Sequence, residues 1–508
     1  MTNASINSVD EQSGGLGRVA MRGSLLNSAQ WLANKVLTAG AMLVIAYFLT
    51  PAEYGVGIGS LAIFQFLCVF LPLTVGDVLI AHPKRFALLA PSAAGLAMII
   101  ACCTATVTLL SIPIVIHFYH DYPAGWLVGL LAALTLRPIL EARLVVPLSM
   151  MRLRLAYPKI AFVDGLVQMG TTVLSVVIAA LGGRSAALVI PAIINVGVRS
   201  TWYSRLATVP HSARFHPKLA LYLFRSFVKA ASAQYIHNII WMLEIIVLGF
   251  VSGKYETGLF GLAYSIAAQA NTVIAYQLGV VLQPIFGRLQ DDPERQVAGF
   301  LKAQRVLSAV CVPICFTQAV LAEPLFRLVL DVKWQPAIPV FQVVSLMQAF
   351  YFATGPSMSC LRAQRRFGTF FAWQGIQLVI SLPVYWMGAD WKGALGIALA
   401  SGACWAISAP IVVWLCTLAS PRKHLFDALA IFVRPWVVCA PLFGGFYMLT
   451  QWSSSFGRLG DIASLFIVGP ISTLLAIWIM RFVHADIRNT IDGFVAGAMA
   501  KIQRKRST

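Results

Sequence analysis

The chain has 508 residues, of which 59% are apolar and only 11% charged, and its mean hydropathy is +0.78. These values exclude a soluble globular domain and a disordered chain, and leave an integral membrane protein. The net charge of +19 is concentrated in alternate connections and in the tail residues Lys501, Arg504, Lys505 and Arg506, a distribution suited to anionic headgroups rather than to nucleic acid.

After a polar leader, residues 1–24, apolar stretches recur from Leu25 to Phe482. They make about fourteen spans long enough for a hydrocarbon core, centred near Gly40, Phe64, Ala101, Leu134, Val173, Ile193, Met242, Val310, Ser345, Val379, Ala403, Ala440 and Leu474, with another near Val273. None shows the two-residue alternation of barrel strands, so an all-α membrane protein is expected. The first stretch is too long for a signal peptide and lacks a cleavage site, so it is read as the first span. The nine cysteines lie within or beside apolar spans, where a thiol acts as a small hydrophobe. No disulfide framework, metal site or cofactor is expected.

Every second connection is basic: Lys84 and Arg85; Arg152, Arg154 and Lys159; Arg288 and Arg295; Arg362, Arg365 and Arg366; Arg422 and Lys423. The intervening connections hold only scattered cations, which places both termini in the cytoplasm. Between spans six and seven, residues 211–230 set Leu219, Leu223, Phe224 and Phe227 on one helical face and Lys218, Arg225 and Lys229 on the other. This reads as an interfacial amphipathic helix or, less demandingly, as a solvated linker. Ile487, Ile491, Phe494, Ala498 and Ile502 repeat the pattern in the basic tail, residues 485–508.

The sequence also repeats once. Ser28-Ala29-Gln30-Trp31-x-x-Asn34 returns as Ser232-Ala233-Gln234-Tyr235-x-x-Asn238; further on, Glu53-x-Gly55 matches Glu256-x-Gly258, and Gly76 and Arg85 match Gly279 and Arg288. The duplication divides the chain into a first lobe of six spans, residues 25–210, and a second of six, residues 231–422, with spans thirteen and fourteen, residues 423–484, outside it. Six spans per unit make the repeats parallel, a pattern of transporters that carry their substrate site at the repeat interface.

Several stretches add a resemblance. Leu49-Thr50-Pro51-x-Glu53-Tyr54-Gly55, Pro147-Leu148-x-x-Met151-Arg152, Gly261-x-Ala263-Tyr264-Ser265 and Leu325-Phe326-Arg327 through Lys333-Trp334-x-x-Ala337 resemble the polysaccharide transporters, or Wzx-type flippases, of the superfamily that includes MATE exporters and the lipid II flippase. Asp331 stands where that pattern has a glycine. The resemblance implies a pair of six-helix lobes that moves a lipid-linked oligosaccharide between leaflets of the bacterial inner membrane, with membrane lipids, a polymerase and export machinery as partners.

Candidate site residues follow from polar groups inside apolar spans. In span one Asn27, Gln30, Asn34 and Thr38 stack at helical spacing with Lys35 beside them. Lys35 sits roughly 15 Å inside the membrane, where a cation costs about 3 kcal/mol. A cavity holding a phosphate-bearing lipid offsets that cost, and so does a neighbouring carboxylate with no transport role. In span four Arg137 and Glu141 share a face beside Pro138; they suit a substrate clamp or a structural ion bridge. Arg143 and Arg199 read as cations that snorkel to headgroups. In span seven His237, Trp241 and Glu244 share a face, suited either to proton or sodium coupling or to neutralising a cation elsewhere. Asp77, and Asp164 with Gln168, lie near the cytoplasmic side; they either gate the inward mouth by pairing with Lys84, Arg152 or Arg305, or cap helix ends.

The expected function is translocation of a polyprenyl-diphosphate-linked oligosaccharide by alternating access, with no catalytic residues. A MATE-like exporter of cationic drugs is the alternative, disfavoured because span one holds Lys35 and no carboxylate precedes Glu53. A polysaccharide polymerase, ligase or acyltransferase is a third reading, set against the short outer loops, whose one polar cluster is His117, His120 and Asp121. No nucleotide-binding loop is visible.

Overall fold

The computed structural model describes residues 34–35, 37–68, 72–154, 156–207, 215–271, 286–287, 291–421 and 424–483, with the single positions 282 and 289. Among these residues the regular elements are all helical. A helix runs through every expected span centre except that near Val273, which lies outside the described residues, as do Asn27, Gln30 and the basic tail. Eight helical stretches are each long and apolar enough to cross a membrane.

Two compact units divide the described chain: residues 34–49 with 56–238, and residues 50–55 with 239–483. The first begins with α1 (Leu37–Phe48), followed by α2 (Pro51–Leu67), α3 (Leu73–Ile80), α4 (Phe86–Phe118), α5 (Ala124–Leu134), α6 (Leu136–Leu153), α7 (Tyr157–Ala180) and α8 (Ala186–Leu206). Span four is two helices because Pro138 has no N–H for the Leu134 carbonyl. The chain breaks at Thr135, whose N–H and hydroxyl both turn to Ala132 O. Next comes α9 (Pro217–Val251), in which the amphipathic segment and span seven form one continuous helix. The apolar face of its first turns is covered by protein. Leu223 and Phe227 are fully buried against Val75, Leu79, Phe86, Leu89 and Ala93, while Lys218, Leu221, Tyr222 and Arg225 stay exposed.

The second unit continues through α10 (Gly253–Asn271), α11 (Pro293–Val320), α12 (Ala322–Val329), α13 (Ala337–Tyr351), α14 (Thr354–Ala363), α15 (Phe367–Thr417), α16 (Leu425–Ser454), α17 (Arg458–Ala463) and α18 (Gly469–Val483). Spans eleven and twelve are the two arms of α15, folded back at Lys392 and at Gly393, whose φ of 54° suits a residue without a side chain. The second arm starts under the Glu256 carboxylate, which accepts the Ala394 N–H at 2.8 Å and so satisfies one of the free donors of a helix start. Spans thirteen and fourteen join this unit's core: Ile431, Phe432 and Cys439 of α16 and Ala476 and Met480 of α18 are buried with Phe300, Val312 and Phe352. The Ser308 hydroxyl donates to the Ile431 carbonyl at 2.6 Å. Their other faces carry exposed Phe426, Met448, Phe466 and Phe482, as a lipid-facing surface requires.

The duplicated Glu-x-Gly elements meet within the second unit. A Cβ on Gly55 would run into the Lys254 carbonyl oxygen, and a Cβ on Gly258 into that of Pro51. Corresponding glycines thus let the first turns of α2 and α10 approach in a reciprocal way. Buried Tyr54, between them in the motif, packs edge-on against Trp334 with ring centroids 5.7 Å apart, and its hydroxyl meets Ser265. Three of the stretches that carry the family resemblance therefore converge on one cluster. Gly55→Ala and Gly258→Ala should each lower stability by about 1–3 kcal/mol through overpacking, read by thermal unfolding of the purified protein. Gly40→Ala, with no atom within 4 Å of the new methyl, should be neutral or stabilising; equal behaviour of all three would show that close approach is not what these glycines supply.

Candidate functional site

A cavity of about 320 Å³ opens in the first unit, lined by Asn34, Lys35, Thr38, Asp164, Gln168, Asn195 and Arg199. Asn34, Lys35 and Thr38 come from span one, Asp164 and Gln168 from successive turns of α7, and Asn195 and Arg199 from successive turns of α8. Each of these helices turns a polar stripe inward at a spacing of three or four residues, while Phe162, Leu166, Ile194 and Val198 of the same stretches are exposed on the outer surface.

The charges on this wall are linked. Asp164 Oδ1 lies 2.8 Å from Arg199 Nε and accepts the Tyr203 hydroxyl at 2.6 Å; that hydroxyl also lies 3.1 Å from the Ile160 carbonyl. Tyr203 is fully buried, whereas the Asp164 side chain is 38% exposed and that of Arg199 25%. The Asn195 amide donates to Thr171 Oγ1 at 3.1 Å and to Gln168 Oε1 at 3.4 Å, and Gln168 donates to Thr172 at 3.4 Å. Thr38 turns back to the Asn34 carbonyl at 2.7 Å. Two cations, one carboxylate and several amides thus face one space. Such a wall suits an anion with hydroxyl-rich neighbours, because guanidinium and ammonium groups match phosphate oxygens and amides match hydroxyls.

The structure regroups the residues expected from sequence. Lys35 and Asn34 line the cavity; Asn27 and Gln30 lie outside the described residues. Arg137 and Glu141 are not part of the lining. They pair with each other over one turn of α6 at 3.0 Å, with Glu141 buried, so each has a counter-charge on its own helix. The two acids read as a gate separate: Asp77 pairs with Arg152 at 3.2 Å, both well exposed, while Asp164 faces the cavity and pairs with Arg199 rather than with Lys84, Arg152 or Arg305. Arg305 instead meets Asp427 at 3.5 Å. Arg199, expected to reach for headgroups, points to the cavity because the acid of the neighbouring helix holds it there. Asn195 was not singled out by sequence. Its signal is the row Asn195, Arg199, Tyr203 on span six, matched by Asp164, Gln168, Thr171 on span five.

The second unit holds the other intramembrane acid. Glu244 of α9 is buried and receives the Ser401 hydroxyl from the second arm of α15, with Tyr385 and Trp405 bordering the carboxylate. Ser401, Tyr385 and Trp405 are neutral groups. The helix places His237 two turns before Glu244; its side chain lies outside the described residues. Glu244 belongs to the second unit and the cavity to the first.

Residues 44–339 match the model of a family described as polysaccharide biosynthesis protein. Among relatives, the chain is 24% identical over 196 residues to a membrane protein of the cps region of Klebsiella pneumoniae, a match spanning 39% of this chain and 40% of that one. It is 27% identical over 157 residues to the lipopolysaccharide biosynthesis protein WzxC of Escherichia coli, 31% and 32% of the two chains. Both matches span less than two thirds of the relative. A longer match, 22% identical over 405 residues, covers 78% of this chain and 75% of the succinoglycan biosynthesis transport protein ExoT of Rhizobium meliloti. The fold is similar to that of the lipid II flippase MurJ, with a TM-score of 0.73 and 13% identity over 92% of this chain and all of that one. It is also similar to that of a MATE family multidrug transporter, with a TM-score of 0.62 and 11% identity over 76% of this chain and 95% of that one. A membrane-transporter fold and a family match covering more than half of its length together establish that this multi-pass membrane protein belongs to the polysaccharide biosynthesis protein family.

Proposed function

We propose that the chain is a Wzx-type flippase that carries a polyprenyl-diphosphate-linked oligosaccharide from the cytoplasmic to the outer leaflet of a bacterial inner membrane, by alternating access. The observation that carries this reading is the first-unit cavity, in which Lys35 and Arg199 outnumber Asp164 and three amides with the Thr38 side chain supply the rest of the wall. A diphosphate fits the cations, sugars fit the amides, and the polyprenyl tail stays in lipid. The names of WzxC and ExoT, and the fold shared with MurJ, support the same class of cargo. The basic alternate connections support cytoplasmic termini. A MATE-like exporter of cations is less well served, because the cavity's acid already faces a guanidinium.

Glu244 is the candidate for coupling transport to a proton or sodium ion. A buried carboxylate among hydroxyl and aromatic groups is costly unless it takes up a positive charge. The membrane potential then supplies about 2.3 kcal/mol per charge per 100 mV.

Depletion of the protein in its native cell should accumulate complete, unpolymerised lipid-linked repeat units, measured by mass spectrometry of membrane extracts, with loss of surface polysaccharide. Lys35→Gln and Arg199→Gln should each reduce export at least about tenfold at normal protein abundance, as loss of a charge-assisted phosphate contact implies. Normal export by both would rule out the cavity reading. For the coupling role, Glu244→Gln should make residual transport insensitive to ionophores that collapse proton or sodium gradients; transport that is ionophore-insensitive already in the unaltered protein would eliminate it.

A further inference from the structure

We propose that Asp164 is an internal competitor for the transported anion: its carboxylate occupies Arg199 and is displaced from it when the phosphate groups of the substrate arrive. The inference rests on the cavity reading above and adds what sets its affinity.

Three observations lead to it. First, Asp164 and Arg199 both line the cavity and lie 2.8 Å apart, so the carboxylate sits where an incoming anion would meet the guanidinium. Second, Asp164 has a second partner on the same helix as Arg199. The hydroxyl of fully buried Tyr203 donates to the same Oδ1 at 2.6 Å, with the Ile160 carbonyl, 3.1 Å away, as a weaker acceptor of the same proton. A carboxylate that gives up Arg199 therefore keeps a hydrogen bond, which lowers the cost of displacement. Third, the Asp164 side chain is 38% exposed, open enough to turn aside, whereas Glu141, another paired acid of this unit, is buried against its own-helix arginine.

The competition has a use. A cavity with two unopposed cations would hold a diphosphate too firmly to let it go, and transport needs a site that binds on one side and releases on the other. An acid tethered beside Arg199 weakens binding of the anion and refills its place as it leaves. Lys35, on span one, lines the same cavity as a second cation.

The test uses the purified full-length protein in lipid nanodiscs, with inorganic pyrophosphate as the probe and calorimetry as the readout. Asp164→Asn should bind pyrophosphate about five- to tenfold more tightly, the lower range of typical site coupling, and should slow release in a transport assay. Tyr203→Phe should weaken binding, because the displaced carboxylate loses its remaining partner. In an Arg199→Gln background the effect of Asp164→Asn should vanish, as direct competition requires and a general field effect does not. Unchanged or weaker binding by folded Asp164→Asn overturns the proposal, as does tightening that persists without Arg199. If Asp164→Asn does not fold, Asp164→Ser and Tyr203→Phe decide the same question. Absence of pyrophosphate binding in the unaltered protein and in every variant would instead overturn the cavity reading, and this inference with it.

Discussion

In hydrocarbon there is no water to solvate a charge or an open peptide group, so each one carried into a membrane span must find its partner within the protein. The pair between Asp164 and Arg199 shows how this constraint shapes the first unit. An aspartate on α7 and an arginine on α8 are each expensive alone; facing each other at 2.8 Å, with Tyr203 completing the acid's coordination, they tie adjacent spans together. Because the pair is partly exposed to a cavity, it also creates a wall of fixed charge. The same constraint is met on α6 within one helix, where Arg137 and Glu141 pair at 3.0 Å outside the cavity lining. One pair lies within a single helix with its acid buried and the other joins two helices at a cavity wall, although both set an arginine against a carboxylate.

The residues that carry the family resemblance and those that line the cavity are different sets. Tyr54, Gly55, Ser265 and Trp334 come from separate stretches and gather in one cluster of the second unit, where two helix starts approach too closely for any side chain larger than hydrogen. Their spacing is demanded by packing. Lys35, Asp164, Asn195 and Arg199 lie outside those stretches, in segments whose only signature is a polar residue at helical spacing within an apolar span. A resemblance built on the first set thus reports the scaffold.

Membership of the class was legible because it depends on composition and period alone: 59% apolar residues, long apolar runs and alternate basic connections leave few physical alternatives. Lys35 was legible as well, since a cation deep in an apolar span needs an explanation wherever the span goes. Arg199 was harder, because a cation near a span end has two equally cheap destinations, headgroups or a partner, and only the neighbouring helix decides between them. The amphipathic segment at the start of α9 was ambiguous for a related reason. An apolar stripe fits lipid and fits protein equally well, and Leu223 and Phe227 took the protein because α3 and α4 present a matching apolar surface.

What the sequence by itself determined is the helical membrane class, the internal duplication, the basic sides of the spans and the presence of ionisable groups that an apolar environment cannot leave alone. Each of these follows from local composition or from self-similarity along the chain. Only the tertiary structure decided which ionisable groups meet. Placing Asp164 against Arg199, setting Arg137 and Glu141 apart from Lys35, and surrounding Glu244 with Ser401, Tyr385 and Trp405 all depend on the rotation of one helix about its axis relative to the next. That rotation is set by the summed packing of many apolar side chains, and no single residue or spacing encodes it.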